Sequence, residues 1–233
     1  MKIKGIQNLT LIDYPGKIAC TIFLFGCNFR CGFCHNPELV LKDTIKEISE
    51  TEIFNFLSKR KEHLDGVCIT GGEPLMTLDE HFVRRIKIWG YSIKIDTNGS
   101  FPEKLKQLID KKLIDFVAMD IKTCREKYSE VVGINVDLNK IEESIKLISN
   151  MKDYEFRTTI VEGLHSIEDI KKMSVWLNEL CGKKPKKFSL QGFKNQGKLI
   201  DESFKKRPDT SDKFLDELKE NIKDYFEEVE IKT

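Results

Sequence analysis

Strand-like and helix-like segments alternate about six times along this chain, and that alternation constrains its fold more than any other feature. Amphipathic segments of helical period separate the strand-like ones, beginning with residues 48–60, where Ser49 and Glu52 have capping-box spacing. Such alternation predicts a parallel sheet with right-handed crossovers. Six apolar, β-branched segments have the character of buried strands: 17–24, 67–70, 92–95, 116–121, 155–161 and 187–190.

The number of strand–helix units predicts whether the sheet closes into a barrel. Six units are fewer than the eight that close a barrel, so we expect an α/β fold of the partial (β/α)6 barrel kind. Its parallel sheet would be curved and open, with helices on the outside. We expect a single domain over residues 1–233, with a core at about 15–195 and a C-terminal helix and short strand at about 210–233.

Composition narrows the classes of partner and location. Charged residues make up 33% of the chain but leave a net charge of only +1, so we expect neither nucleic acid nor a membrane surface as a partner. No stretch reaches the length needed to span a bilayer. The cysteine count is seven, an odd number, and no signal-peptide pattern opens the sequence. These features predict a cytoplasmic protein with reduced thiols.

Three cysteines, Cys27, Cys31 and Cys34, follow the first predicted strand with the spacing C-x3-C-x2-C. A closed structural zinc site needs four ligands, and ordinary ferredoxin clusters are also held by four cysteines. The next cysteine, Cys68, lies on a different predicted strand. Three thiolates on a four-iron cluster would leave one iron open to bind a reactive group. One alternative is zinc held by these cysteines and His35. A non-catalytic alternative for the whole chain is an electron-transfer or zinc-binding module.

Unusual polar and glycine residues follow the next three predicted strands, at the strand ends where parallel α/β folds collect their chemistry. Asp120 and Lys122 flank one strand residue, so their side chains point to the same face. Arg157, on the fifth strand, would be costly to bury without an anionic partner. The three strand-end segments are Gly71-Gly72-Glu73-Pro74, Asp96-Thr97-Asn98-Gly99 and Asp120-Ile121-Lys122.

Together these residues resemble the radical S-adenosylmethionine superfamily. The cysteine motif matches the cluster signature of that superfamily, Phe33 matches an aromatic position near adenine, and the segment 71–74 is similar to the loop for the methionine ammonium. Within the superfamily, the segments 11–16 and 34–39 resemble the activating proteins of anaerobic ribonucleoside-triphosphate reductase. The pyruvate formate-lyase activating enzymes are close relatives of that group.

The resemblance implies a cofactor set and a reaction. Cys27, Cys31 and Cys34 would hold one [4Fe–4S] cluster, and the open iron would bind S-adenosylmethionine. An electron from flavodoxin or ferredoxin would cleave that cofactor, and the 5′-deoxyadenosyl radical would take hydrogen from a glycine of a glycyl radical enzyme. That partner is expected to be anaerobic ribonucleotide reductase. Lys122 is expected to act with the cysteines in catalysis.

The resemblance also assigns residues to the cofactor. A monovalent cation is expected at Asp96, Thr97 and Asp120. The expected S-adenosylmethionine contacts are Phe33, Asn36, Gly71, Gly72, Glu73, Asn98, Asp120, Lys122 and Arg157.

Several alternatives stay open at the level of sequence. The partner could be a pyruvate formate-lyase, or the substrate a small molecule, as in deazaguanine-forming synthases. Glu73 could hold the glycine turn rather than touch a ligand, and Asn98 could serve turn chemistry. The Asp120–Lys122 pair could be an exposed salt bridge that contributes little to stability.

Overall fold

The computed structural model describes residues 1–232, so Thr233, the last residue of the expected domain, lies outside the described part. The chain divides into two compact units. The first unit comprises Met1–Asn28, Glu38–Thr97 and Glu103–Val117. The second comprises Phe29–Pro37, Asn98–Pro102 and the chain from Ala118 onward. The expectation of a single domain over residues 1–233 stays a prediction.

Eight strands form one open sheet in chain order. In the first unit, the N-terminal strand pairs antiparallel with the second, and the second, third and fourth strands pair in parallel. In the second unit, the last three strands also pair in parallel. The open parallel α/β sheet is therefore confirmed. The strands are β1 (Ile3–Thr10), β2 (Ala19–Leu24), β3 (Gly66–Gly71), β4 (Ser92–Thr97), β5 (Phe116–Asp120), β6 (Tyr154–Ile160), β7 (Lys187–Gly192) and β8 (Glu228–Lys232).

The six predicted strands correspond to β2 through β7, and β8 is the short strand expected near the C-terminus. The sequence does not indicate β1, which the structure adds at one edge of the sheet. As an edge strand it has one neighbour, and its residues 7–9 are exposed. It therefore lacks the continuous apolar run that marks a strand covered on both faces.

Eight α-helices of the described residues connect or follow the strands. Ser49 caps α2, and its side chain accepts the N–H of Glu52 while the Glu52 carboxylate accepts the N–H of Ser49, which confirms the capping box. The sequence does not indicate α1 and α5, since four or five residues are too few to show a helical period. The helices are α1 (Pro37–Val40), α2 (Glu50–Lys59), α3 (Glu80–Ile88), α4 (Pro102–Asp110), α5 (Tyr128–Val132), α6 (Leu138–Ser149), α7 (Ile167–Cys181) and α8 (Asp212–Ile222).

Each unit buries the apolar side chains of its own strands. In the first unit Ile22 and Ile69 are fully buried, and in the second Phe156 and Phe188 are. These side chains exclude water around the strands and hold the strand ends in place. Across residues 1–232, the structure has no helix with the length and hydrophobicity required to cross a membrane.

Candidate active site

The cysteine motif occupies the loop that follows β2. Cys27 belongs to the first unit, whereas Cys31 and Cys34 belong to the second. None of the three is part of a disulfide; Cys31 is buried and the other two are partly buried. Within residues 1–232, no three His, Cys, Asp or Glu side chains are already gathered around a metal position.

The surroundings of Cys31 and Cys34 suit iron–sulfur ligation. The backbone N–H of Asn36 donates to Sγ of Cys34 at 3.4 Å, and the N–H of Cys34 donates to the carbonyl of Cys31 at 3.1 Å. Burial raises the pKa of Cys31 to about 11 and also raises the pKa of Cys34. Both thiols therefore keep their protons until a metal displaces them. Buried sulfurs with a backbone N–H directed at one of them are the donor type that iron–sulfur clusters use.

The glycine turn after β3 packs against the start of the cysteine loop. A Cβ on Gly71, whose φ is +125°, would lie 2.2 Å from the carbonyl oxygen of Leu24, and one on Gly72 would lie 2.1 Å from that of Gly26. The N–H of Glu73 donates to the Gly26 carbonyl at 2.7 Å. Glycine is required here because two backbones approach each other too closely for any side chain.

Glu73 is fully buried and holds this turn together. Its carboxylate accepts the N–H of Leu75 at 3.0 Å and the hydroxyl of Thr97 at 2.8 Å. A buried carboxylate with such partners is stabilised by them, and losing one would be costly. The structure thus gives Glu73 the turn-holding contacts that the sequence left as an alternative.

A buried lysine pairs with Asp96 on β4, a feature that the strand-end motif alone does not indicate. Lys94 is 1% exposed, and its ammonium forms an ion pair with Asp96, two residues along the strand. The Cys68 thiol lies near both groups, 3.9 Å from Nζ of Lys94 and 3.8 Å from the Asp96 carboxylate. The alternation of a strand, which places residues 94 and 96 on one face, is the signal that could have found this pair.

Asp120, Lys122 and Arg157 form a charged cluster in the second unit. The Lys122 ammonium lies 3.1 Å from Oδ2 of Asp120, which confirms the predicted same-face placement. Nε of Arg157 donates to the other carboxylate oxygen of Asp120. Arg157 therefore has an anionic partner within the protein. One carboxylate and two cations leave a net positive charge, which favours binding of an anionic ligand group.

The same cluster fixes the ionisation of its members. Burial would raise the pKa of Asp120, but the charges of Arg157 and Lys122 hold that pKa well below its usual range. Burial would lower the pKa of Lys122, but Asp120 and Cys31 raise it above the usual value. All three side chains therefore stay charged across the physiological pH range.

His165 extends the site beyond the predicted residues and packs against Phe33, which is one of them. The ring of Phe33 contacts the imidazole of His165 edge-on, with centroids 6.3 Å apart, and also lies 6.0 Å from the ring of Phe204. His165 is buried and contacts the backbone of Lys122. The sequence does not indicate His165, because the residue lies in a loop 43 positions from Lys122.

Asn98 and Asn36 have different surroundings. The side-chain oxygen of Asn98 accepts the N–H of Ser100 at 3.0 Å, which is turn chemistry. The next residue, Gly99, has φ +80°, and its carbonyl accepts the hydroxyl of Ser144 at 2.7 Å. Asn36 is exposed, and its backbone N–H donates to Sγ of Cys34.

Comparisons with known proteins agree with this arrangement. The family model described as "Radical SAM superfamily" matches residues 21–176. A "Putative glycyl-radical enzyme activating enzyme" of Methanocaldococcus jannaschii is 36% identical over 99% of this chain and 95% of its own length. The pyruvate formate-lyase-activating enzyme of Listeria monocytogenes is 34% identical over 52% of this chain and 53% of its own length. The crystal structure of Streptococcus suis SuiB, at 18% identity, has a TM-score of 0.65 over 91% of this chain and 49% of that one, which shows the fold alone.

An open parallel α/β sheet with a three-cysteine loop after its first parallel strand defines the class of iron–sulfur enzymes that act through radicals. The chain belongs to the radical S-adenosylmethionine superfamily. Its cofactors are a [4Fe–4S] cluster and S-adenosylmethionine, and it is an enzyme of the same kind as the glycyl-radical-enzyme activating relatives.

Proposed function

We propose that this protein activates a glycyl radical enzyme and that its partner is an anaerobic ribonucleoside-triphosphate reductase. The observation that carries the proposal is the M. jannaschii relative, which aligns with 99% of this chain and has 95% of its own length covered. The segments 11–16 and 34–39 support the choice of partner, since they resemble the activating proteins of that reductase. A low-potential flavodoxin or ferredoxin would supply the electron.

In this proposal Cys27, Cys31 and Cys34 hold the cluster. Bound together, the cluster and S-adenosylmethionine supply reductive cleavage of a carbon–sulfur bond, the chemistry that makes hydrogen abstraction from a glycine feasible. Gly71 and Gly72 present backbone carbonyls to the methionine ammonium. Their tight packing on the end of β2 supports this role, because it fixes those carbonyls with no side chain in the way.

The charged and aromatic side chains then position the rest of the cofactor. Lys122 and Arg157, held on Asp120, offer donors to the ribose and to the methionine carboxylate. Phe33 packs beside the adenine, where its own contacts with His165 and Phe204 limit its rotation. In this proposal Asn36 and Asn98 contact the edge of the cofactor, and Glu73 acts through the turn that it holds.

A monovalent cation at Asp96, Thr97 and Asp120 remains part of the proposal. Asp96 is already paired with Lys94, and Asp120 with Arg157 and Lys122. The Thr97 hydroxyl donates its proton to Glu73, and a hydroxyl oxygen is also chemically able to ligate a cation. A bound cation would therefore have to compete with protein ammonium and guanidinium groups.

Electron paramagnetic resonance tests the proposed reaction. The anaerobically reconstituted and reduced protein is mixed with S-adenosylmethionine and an anaerobic ribonucleotide reductase from the same genome. We expect a doublet radical signal on the reductase whose hyperfine splitting collapses when its glycines are α-deuterated. The Cys31→Ala variant, lacking a cluster ligand, should give no signal. Absence of a glycyl radical on the reductase would refute this choice of partner.

A pyruvate formate-lyase-type activase is the second candidate, and the L. monocytogenes relative favours it. The same assay with a pyruvate formate-lyase in place of the reductase separates the two, because only the true partner should acquire the radical. Fast turnover of a small molecule without any protein radical would favour a synthase-like enzyme instead. One zinc per chain and no iron would refute the radical function altogether.

A further inference from the structure

The short helix α5 packs directly on the cysteine loop within the second unit. The N–H of Arg30 donates to the carbonyl of Val132 at 2.8 Å, and the ring of Phe29 meets that of Tyr128 edge-on at 6.4 Å. Gly133 ends the helix with φ +72°, and a Cβ there would lie 2.7 Å from the Arg30 carbonyl oxygen. These contacts hold Tyr128 in a fixed position beside the loop.

The hydroxyl of Tyr128 is buried, and within residues 1–232 no acceptor receives its proton, although the backbone N–H of Lys122 interacts weakly with its oxygen. Its ring packs edge-on against Trp176 at 6.2 Å, and the side chain is 0% exposed. A buried hydroxyl left in this state has lost its hydrogen bond to water without a full replacement, which is unfavourable. Lys122, Cys31 and Asp120 act on this hydroxyl electrostatically, and of these only Cys31 and the Asp120 carboxylate could accept its proton. The Asp120 carboxylate already accepts from Arg157 and Lys122.

Ligation to iron would change Cys31 from a thiol to a thiolate. A thiolate or cluster sulfur accepts hydrogen bonds, and such bonds are one of the features by which proteins set cluster reduction potentials. Of the two possible acceptors for the Tyr128 proton, Cys31 is therefore the one that gains acceptor capacity when the cofactor is present. A Cys31 thiolate could therefore accept the proton of the Tyr128 hydroxyl.

We propose that Tyr128 is a positioning residue whose hydroxyl donates a hydrogen bond to a sulfur of the cluster at Cys31. The inference rests on the proposed cluster ligands, and it holds for either glycyl radical partner. Because the added electron makes the cluster more negative, the bond is stronger in the reduced state. Tyr128 thus makes the cluster easier to reduce.

The first test uses the protein without its cluster. Tyr128→Phe removes a hydroxyl whose proton has no acceptor in that state, so we expect an unchanged or higher melting temperature. The control is Tyr91→Phe, at an equally buried tyrosine whose hydroxyl donates to the carbonyl of Leu57 at 2.7 Å. That control should lower the melting temperature. A comparable loss in Tyr128→Phe would show that the hydroxyl has a structural partner, and would overturn the inference.

The second test is a redox titration of the reconstituted cluster without S-adenosylmethionine or partner, followed by electron paramagnetic resonance. At a fixed potential near the wild-type midpoint, we expect Tyr128→Phe to lower the ratio of reduced to oxidised cluster about tenfold, the equivalent of one hydrogen bond. The Tyr91→Phe protein should match the wild type. An unchanged ratio of reduced to oxidised cluster overturns the inference. A Tyr128→Phe protein altered only in its affinity for S-adenosylmethionine also overturns it, because the Tyr128 hydroxyl would then donate to that cofactor and not to the cluster.

A second substitution covers the case in which Tyr128→Phe fails to assemble a cluster. Incorporation of 3-fluorotyrosine at position 128 keeps the ring and the hydroxyl but makes the hydroxyl a stronger donor. The ratio of reduced to oxidised cluster should then rise above the wild-type value, and an unchanged or lower ratio would overturn the inference. If the wild-type protein itself assembles no cluster, the cofactor-ligand assignment fails together with the inference. A normal cluster with no glycyl radical refutes only the proposed activase function.

Discussion

The imidazole of His165 is hydrogen-bonded to the backbone of Lys122, with Nε2 2.9 Å from the carbonyl oxygen. The other ring nitrogen, Nδ1, accepts the N–H of Val161 at 3.0 Å, so the single proton of the neutral ring lies on Nε2 and is donated to Lys122. Burial lowers the pKa of His165 to about 4, which keeps the ring neutral near pH 7. A loop histidine therefore positions the backbone of a proposed cofactor residue.

The first prediction concerns acid stability. Between pH 6.5 and 4 the unfolded chain binds a proton at His165 and the folded protein does not, so the free energy of unfolding falls as the pH falls through this window. The full contribution is about 3 kcal/mol. His165→Gln should flatten this part of the stability curve, measured by urea unfolding at several pH values. Asp169 and Lys127, which also act on His165, are unchanged in the variant.

The control for that experiment is His81→Gln, which alters an exposed histidine in α3. In this variant the unfolding free energy should change with pH as steeply as it does in the wild type. Identical slopes in the wild type and in His165→Gln would mean that the buried imidazole does not resist protonation as we infer.

The second prediction concerns the glycine turn. Gly72→Ala would place a methyl group 2.1 Å from the Gly26 carbonyl oxygen, so the backbone next to Cys27 must shift. We expect a loss of about 1–3 kcal/mol in unfolding free energy and less iron bound per chain. Gly5→Ala is the control, because its nearest neighbour, on Phe23, lies at an ordinary 3.5 Å. Equal stability and iron content in the two variants would contradict the close-packing explanation.

The third prediction concerns the buried ion pair on β4. Lys94→Met leaves the Asp96 carboxylate without its ammonium partner at a nearly buried position, which should cost about 3 kcal/mol. The control is Lys87→Met, whose pair with Asp115 at 2.6 Å is partly exposed, and it should cost about 1 kcal/mol or less. Chemical denaturation of both variants measures the difference, and similar losses would argue against a special role for Lys94.

The same variant bears on the proposed monovalent cation. If the Lys94 ammonium competes with a cation at Asp96, potassium should stabilise Lys94→Met more than it stabilises the wild type. The comparison is made at equal ionic strength against tetramethylammonium, a cation too large for close oxygen ligation. Equal stabilisation of the two proteins by potassium would show that Lys94 does not compete with a cation at Asp96.

The fourth prediction concerns the cluster ligands. Cys27→Ala, Cys31→Ala and Cys34→Ala should each abolish cleavage of S-adenosylmethionine, since each removes a cluster ligand. Cys181→Ala, at the end of α7, should retain both iron and cleavage. Iron analysis and 5′-deoxyadenosine formation are the measurements, and normal product from Cys31→Ala would refute the ligand assignment.

The sequence by itself determined the features that depend on neighbouring residues. Strand and helix periods located β2 to β7, the spacing of Ser49 and Glu52 located a helix start, and strand alternation placed Asp120 beside Lys122. Each rests on backbone geometry that repeats over a few residues. The family resemblance followed from the same local segments, above all from the cysteine motif.

Only the tertiary structure decided the contacts between distant segments. Arg157 meets Asp120 across 37 residues and His165 meets Lys122 across 43, which no local period encodes. The burial of the Tyr128 hydroxyl without an acceptor likewise depends on the packing of α5 on the cysteine loop. The reason is physical: whether a polar side chain is satisfied depends on every group that folding brings within reach, and sequence spacing fixes only the nearest of these.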